Sequence, residues 1–312
     1  MQFSNSNTVS DIVLLGFQNL QSYRISFFLL LLIIYCVTVC ANLLIILVVS
    51  SSRSLHSPMY FFLTQLSFSD ILLSTTIVPN MLPIVLYEGN SVSFIGCLMQ
   101  FYFFLASEML ECLLLTVMSY DRYQAICHPL HYTSVMTPTF CVKAVVLCWV
   151  MMIVAILPFS ITMSYLWFCG PNVIDHFFCD LDPILELSCS DTFLMKIEDM
   201  ILMIPFVLCP FTVIIMSYIY IIITILKIPS VTGRQKTFST CSSHLVVVSL
   251  FYGSLIFIYL FPNTENIKKI FSIFYTVITP LLNPIIYSLN NRDIKLEFKK
   301  LKSKLLSALL MK

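Results

Sequence analysis

The chain has 312 residues, 59% hydrophobic and only 11% charged, with a net charge of +1 at pH 7. A soluble domain carries about 25% charged residues, so 17 basic and 16 acidic side chains cannot furnish a water-facing surface for this length. That excludes an ordinary soluble enzyme, a disordered chain and, for want of a basic surplus, a nucleic-acid binder. Six glycines and the absence of any GxGxxG or GxxxxGK[ST] run argue equally against a nucleotide-binding fold. What remains is a protein threaded through a membrane several times.

Residues 1–24 open with MQFSNSNTVSD, with no basic stretch before an apolar run, so no cleavable signal peptide is expected and the segment reads as extracellular. Continuous apolar runs of about 20 residues or more, not alternating barrel segments, mark helices that satisfy their own backbone in lipid. They fall at 25–49, 58–81, 95–123, 142–162, 200–226, 239–261 and 270–289, with a long outer loop at 163–199. The tail, 290–312, places Ile294, Phe298, Leu301, Leu305 and Leu309 on one side and Lys295, Lys299, Lys302 and Lys304 on the rest, a basic amphipathic helix for the inner leaflet. The expected fold is all-α, a seven-transmembrane helix bundle with a short amphipathic cytosolic helix after span seven. Putting the C-terminus inside leaves 13 Lys and Arg in the cytosol, and only Arg24, Lys196, Lys268 and Lys269 outside. Cys97, Cys169, Cys179 and Cys189 then lie on the oxidising side, two disulfides with three connectivities open.

Five runs in order, LHSPMYFFL (55–63), MSYDRYQAICHPLHY (118–132), SY (217–218), KTFSTCSSHL (236–245) and PLLNPIIYSLNNRDIK (280–295), identify a family. The chain resembles, over essentially its whole length, a vertebrate olfactory (odorant) receptor of the rhodopsin-like class A of G-protein-coupled receptors. The resemblance implies Cys97–Cys179 and Cys169–Cys189 disulfides, an agonist pocket among helices three, five and six, and a stimulatory heterotrimeric G protein of the olfactory type on the cytosolic face. A plasma-membrane location and small, volatile, mostly apolar odorants follow from it. By resemblance and helical spacing, Phe104, Leu105, Met203, Phe206, Tyr252, Leu255, Ile256, Tyr259 and Thr276 point into the pocket. The chain departs from the pattern in two places: NSNTV near the N-terminus holds no Asn-x-Ser/Thr sequon, and Ala41 stands where Gly commonly precedes Asn42.

Signalling has to cross about 27 Å of helix three between Phe104 and Arg122. Asp121 and Arg122 at its cytosolic end, followed by Tyr123, read as a latch that frees the guanidinium when helix six moves. Asp70 and Glu111 are carboxylates in apolar helices, a functional site by default. With Asn42 and Asn283 at similar depth they form a midplane network, read as a sodium or proton site, since two near carboxylates repel unless they share a proton or a cation. Glu108, one turn from both Phe104 and Glu111, reads as a polar anchor for a ligand with a donor or amine group. Pro205, Pro210, Pro280 and Pro284 interrupt helices five and seven. Helix six is expected to bend near Gly253 and to swing the end that bears Lys236, Thr240 and His244. Tyr218, Asn283, Pro284 and Tyr287 complete the switch.

His176 and Cys179 have metal-like spacing, but the implied disulfide removes the thiolate, so no metal site is expected there and no cofactor beyond the sodium ion. No nucleophile, base and orienter group on one side of the membrane, so no enzyme is expected. A transporter would show internal repeats, which are absent, and an opsin needs a lysine within 270–289, which is absent too. The alternative that stays open is a class A receptor for a non-odorant small molecule outside the nose.

Overall fold

The structure, a computed structural model, describes residues 11–17, 23–169, 171–260, 265–289, 293–300 and 303. Seven of its helices are long and apolar enough to cross a membrane. The first four are α1 (Arg24–Ser51), α2 (Pro58–Tyr87), α3 (Phe94–Cys127) and α4 (Pro138–Ser164). Helix α5 runs Phe193–Leu226 around a π turn at Ile204–Leu208, and α6 is Val231–Leu260. Helix α7 joins Glu265–Ile273, a π turn at Phe274–Ile278 and Thr279–Leu289. Residues 293–300 form α8.

Local chemistry sets the helix starts. Pro58 and Pro138 occupy first-turn positions, where a missing N–H costs nothing. Thr137 Oγ1 accepts the Phe140 N–H at 3.3 Å, and Ser93 Oγ accepts that of Gly96 at 3.1 Å. Pro205 sits within the first π turn and Pro210 just after it, and Pro280 follows the second. Beside Pro280, whose nitrogen cannot donate, the turn widens, and Thr279 gives both its N–H and its hydroxyl to the Phe274 carbonyl.

Helix α3 is the most buried of the seven and α4 among the least. Around α3 lie two apolar clusters. One, containing Leu73, Phe101, Phe177, Phe178 and Tyr275, fills one end of the bundle. The other, containing Tyr60, Met118, Tyr218, Ile221 and Tyr287, fills the opposite end. Over the first sits a small sheet: β1 (Asp11–Leu14) pairs antiparallel with β2 (Asn90–Ser93) and parallel with β3 (Val173–Ile174). Gly16, just after β1, has φ +63°, and a Cβ there would come within 2.3 Å of Ile84, so no other residue fits this turn.

Several boundaries differ from the sequence reading. Helix α5 begins at Phe193, inside the expected loop 163–199, because Lys196, Glu198 and Asp199 interrupt the apolar run without interrupting the helix. The same loop holds β3 and a short helix, Leu181–Glu186. Helix α6 starts at Val231 and α2 continues to Tyr87, since hydropathy marks the lipid-crossing stretch and not the helix end. Helix α6 is α-helical throughout, and a Cβ on Gly253 would meet nothing within 4 Å. In α8, Ile294 is buried, Phe298 packs on the lower cluster, and Lys295 and Lys299 are exposed. Glu297 accepts from Lys300 at 2.6 Å and from Ser52 at 2.5 Å, contacts that hold its carboxyl down at about 2. Leu301, Lys302, Lys304, Leu305 and Leu309, the N-terminal residues 1–10, and the side chains of Lys236 and Thr240 lie outside the described residues.

Candidate functional site

Beneath the sheet, helices α3, α5, α6 and α7 leave a cavity of about 220 Å³. Its floor and sides come from Phe104, Leu105, Glu108 and Cys112 of α3, Leu202, Met203 and Phe206 of α5, Leu255 and Ile258 of α6, and Tyr275 of α7. Its roof is the connection between α4 and α5, through Asp180, Leu181 and Asp182. The Cys97–Cys179 disulfide pins that roof to the head of α3, and Gln100 accepts the Cys179 N–H at 3.0 Å. A second disulfide, Cys169–Cys189, closes the roof segment on itself. Burial, reinforced by Asp182 and Asp199, raises the Asp180 carboxyl to about 6, although the Leu181 N–H it caps pulls the other way.

The roof is fastened on the far side by Lys269 of α7, which donates to Asp175 at 2.6 Å and to the Gly16 carbonyl at 3.1 Å. His176 is buried between them, stacked on Phe177 at 4.7 Å. Burial, with the Lys269 ammonium adding to it, lowers His176 from the ordinary 6.5 to about 3. The folded roof thus binds a proton less readily than the unfolded chain. The stability this confers is complete above about pH 6.5 and is lost at about 1.4 kcal/mol per pH unit as acidity rises toward about pH 3. Acidification from about pH 7 to about pH 5 therefore lowers the unfolding temperature of the parent relative to that of His176→Phe, while Asp180, whose raised carboxyl takes up a proton in the same window, acts in the opposite sense in both proteins. A variant with the parent's pH profile would place the acid-labile group elsewhere.

Below the cavity, three polar side chains meet in the middle of the bundle. Asn283 Nδ2 donates to Asp70 Oδ1 at 3.0 Å, Asp70 Oδ2 at 3.2 Å and Glu111 Oε1 at 3.3 Å, so one amide joins α2, α3 and α7. Asn283 Oδ1 is buried without a partner among the described residues. Two carboxylates and this free amide oxygen are hard oxygen donors of the kind that sodium takes. Asn42, expected in the same network, is bonded elsewhere. Its Nδ2 donates to the carbonyls of Pro280, at 3.0 Å, and Thr38, at 3.1 Å. The physical reason is Pro284: its nitrogen cannot serve the Pro280 carbonyl one turn back, and Asn42 takes that place.

At the far end, Arg122 donates from Nε and an Nη to Asp121 Oδ2, at 3.1 and 2.7 Å. Both residues are buried, Asp121 completely. Tyr132, in the segment after α3, donates to the other oxygen, Oδ1, at 2.8 Å. Close by, His244 Nε2 lies 3.1 Å from the Leu115 carbonyl, which can only accept, so the proton sits on Nε2 and Nδ1 accepts from the Tyr218 hydroxyl at 2.8 Å. His244 thus binds α3, α5 and α6 together. Tyr123 bonds His128 at 3.0 Å, and the Tyr287 hydroxyl is buried without a partner among the described residues.

The pattern of the olfactory receptor family matches residues 31–304. The chain is 46% identical over 299 residues to olfactory receptor 11L1 of Homo sapiens, covering 95% of this chain and 92% of that protein. The chain belongs to the olfactory receptor family. It is also 45% identical to olfactory receptor 6N1 of Homo sapiens (95% of this chain, 96% of the relative) and 45% identical to olfactory receptor 1468 of Rattus norvegicus (95% of each). As an olfactory receptor it is a G-protein-coupled, multi-pass protein of the plasma membrane and not an enzyme.

Within this olfactory receptor the cavity is lined by Phe104, Leu105, Glu108, Met203, Phe206 and Leu255 of the residues named from the sequence. It omits three others. Ile256 is 43% exposed on the outer face of α6, about 100° of helical rotation from Leu255. Tyr252 is buried one turn lower against Phe211, ring centroids 4.7 Å apart. Thr276 is fully buried and donates to the Ser272 carbonyl within α7. The side chain of Tyr259 lies outside the described residues. Among the lining residues that the sequence reading missed are Ile258, Tyr275, Asp180, Asp182 and Asp199. The disulfide at Cys179 carried a signal for the aspartates beside it, since it must hold the next residues over α3. The three- and four-residue steps Met195, Asp199, Leu202, Met203, Phe206 carried one for Asp199.

Proposed function

We propose that this olfactory receptor binds a small volatile molecule in the cavity among α3, α5, α6 and α7, and answers by activating a stimulatory G protein that raises cyclic AMP. In this reading the N-terminal segment and the sheet-covered end are extracellular, residues 25–289 are the membrane domain, and the tail from 290 is cytosolic. One observation carries it: a roofed cavity and a buried guanidinium latch lie at opposite ends of one helix, α3, with Asp70, Asn283 and Glu111 between them. A cavity of about 220 Å³ is smaller than the roughly 300–1,000 Å³ that takes drug-sized ligands, which suits a ligand of volatile size. A ligand shifts the receptor only by binding its two states unequally, and the side chains of α5 and α6 that line the cavity give it purchase on the helices whose far ends meet Arg122 and His244. The midplane carboxylates are the place for a sodium ion.

The test is the full chain in cultured cells with a cyclic AMP reporter and a chemically diverse odorant panel. Dose-dependent signals from some compounds, lost when the stimulatory G protein is deleted and regained when it is restored, are the expected result. Robust agonist-driven coupling to a different G protein with no cyclic AMP response would overturn it.

A further inference from the structure

The cavity is more acidic than recognition of an apolar odorant requires. Glu108 enters from α3, Asp180 and Asp182 from the roof and Asp199 from α5, four carboxylates on one small space. Glu108 Oε1 is buried and has no hydrogen-bond partner among the described residues. Asp180 spends one oxygen on the Leu181 N–H. None of the described side chains lining the cavity is basic, and Lys268 offsets only part of the charge at Asp180. Glu111, one turn along α3 from Glu108, adds charge of the same sign.

A buried acid oxygen without a donor is an unmet demand for an N–H or O–H. Negative walls of low dielectric also concentrate cations. A metal ion does not answer the demand, because among the described residues no three such groups converge closely enough to hold one. The remaining wall is hydrocarbon and aromatic, with Phe104, Phe206 and Leu255 lining the same cavity, and aromatic faces attract organic cations.

We propose that the ligand is a small protonated amine, its ammonium on Glu108 and its hydrocarbon body against Phe104, Phe206 and Leu255, with Asp180, Asp182 and Asp199 drawing it in. The proposal rests on the receptor reading for its signal but not for binding, and the two are separable. Hexylamine and cyclohexylamine are compared with hexanol and cyclohexanol in two assays: thermal unfolding of the purified receptor, and the cyclic AMP reporter. The amines stabilise the parent and act at concentrations at least about tenfold below those of the matching alcohols. Glu108→Gln abolishes that preference while alcohol responses persist, and Asp199→Asn reduces it by a smaller factor.

Equal potency of amine and alcohol in the parent overturns the proposal, as does equal weakening of both by Glu108→Gln at matched surface density. Amine-specific stabilisation with a silent reporter supports the proposal and counts against the coupling. Neutral odorants that signal without any amine preference sink the proposal and leave the receptor reading in place. If Glu108→Gln fails to reach the surface, the parent comparison and Asp199→Asn decide.

Discussion

Arg122→Ala, at surface density matched to the parent, is expected to abolish agonist-evoked cyclic AMP, and Asp121→Asn to raise the agonist-free signal. Both outcomes follow from one geometry. The guanidinium gives two hydrogen bonds to Asp121 Oδ2 while Tyr132 occupies Oδ1, so the carboxylate is saturated from both sides and excluded from solvent. Breaking a buried ion pair costs about 3–5 kcal/mol when one charge is left unpaired. A receptor that needs Arg122 for its partner must therefore offset this loss with contacts made only in the active state. Asn at position 121 keeps the size of the side chain and removes its charge. Each 1.4 kcal/mol or so withdrawn from the resting arrangement multiplies the active-to-resting ratio about tenfold. Tyr132→Phe removes one bond of the same set and raises the basal signal by less. The measurements are reporter output and surface immunofluorescence on the same cells. Full agonist response from Arg122→Ala would remove the latch from the mechanism.

The architecture was legible in the sequence because its physics is one-dimensional. A hydrocarbon core asks for about 20 apolar residues whatever the neighbours are. The roof was not legible, for it is built from long-range pairing: β1 joins strands about 80 and 160 residues away. HFFCD looks in sequence like an exposed loop with metal-like spacing. In the fold His176, Phe177, Phe178 and Cys179 are all buried, packed under the sheet. The cavity was half legible. Helical spacing places Phe104, Leu105 and Glu108 on one face of α3, but the choice between Ile256 and Ile258 turns on the rotation of α6, which packing and not spacing decides. Asn42 makes the same point. Its depth was right and its partner was not, since the partner is a carbonyl left open by a proline in another helix.

Replacing sodium with choline is expected to lower the agonist concentration for half-maximal response of the parent by about tenfold, within the usual range of coupling between two sites, and Asp70→Asn is expected to erase that dependence. Asp70 and Glu111 bond the same Asn283 amide, so their oxygens crowd one small volume of the bundle. Two negative charges there repel unless a cation or a proton lies between them. A sodium ion held by Asp70, Glu111 and the free Asn283 Oδ1 would tie α2 and α3 to α7 beside Pro284, where the helix lacks a backbone bond and yields most easily. Motion of α7 must break that tie, so the ion favours the resting arrangement and opposes agonist. Asn at position 70 removes one of the charges that recruits it, and Glu111→Gln has the same effect from the other side. If the parent's dose–response curve stays fixed as choline replaces sodium but moves with pH, the shared species is a proton. If it moves with neither, the midplane is a packing layer, and Asp70→Asn alters surface delivery alone.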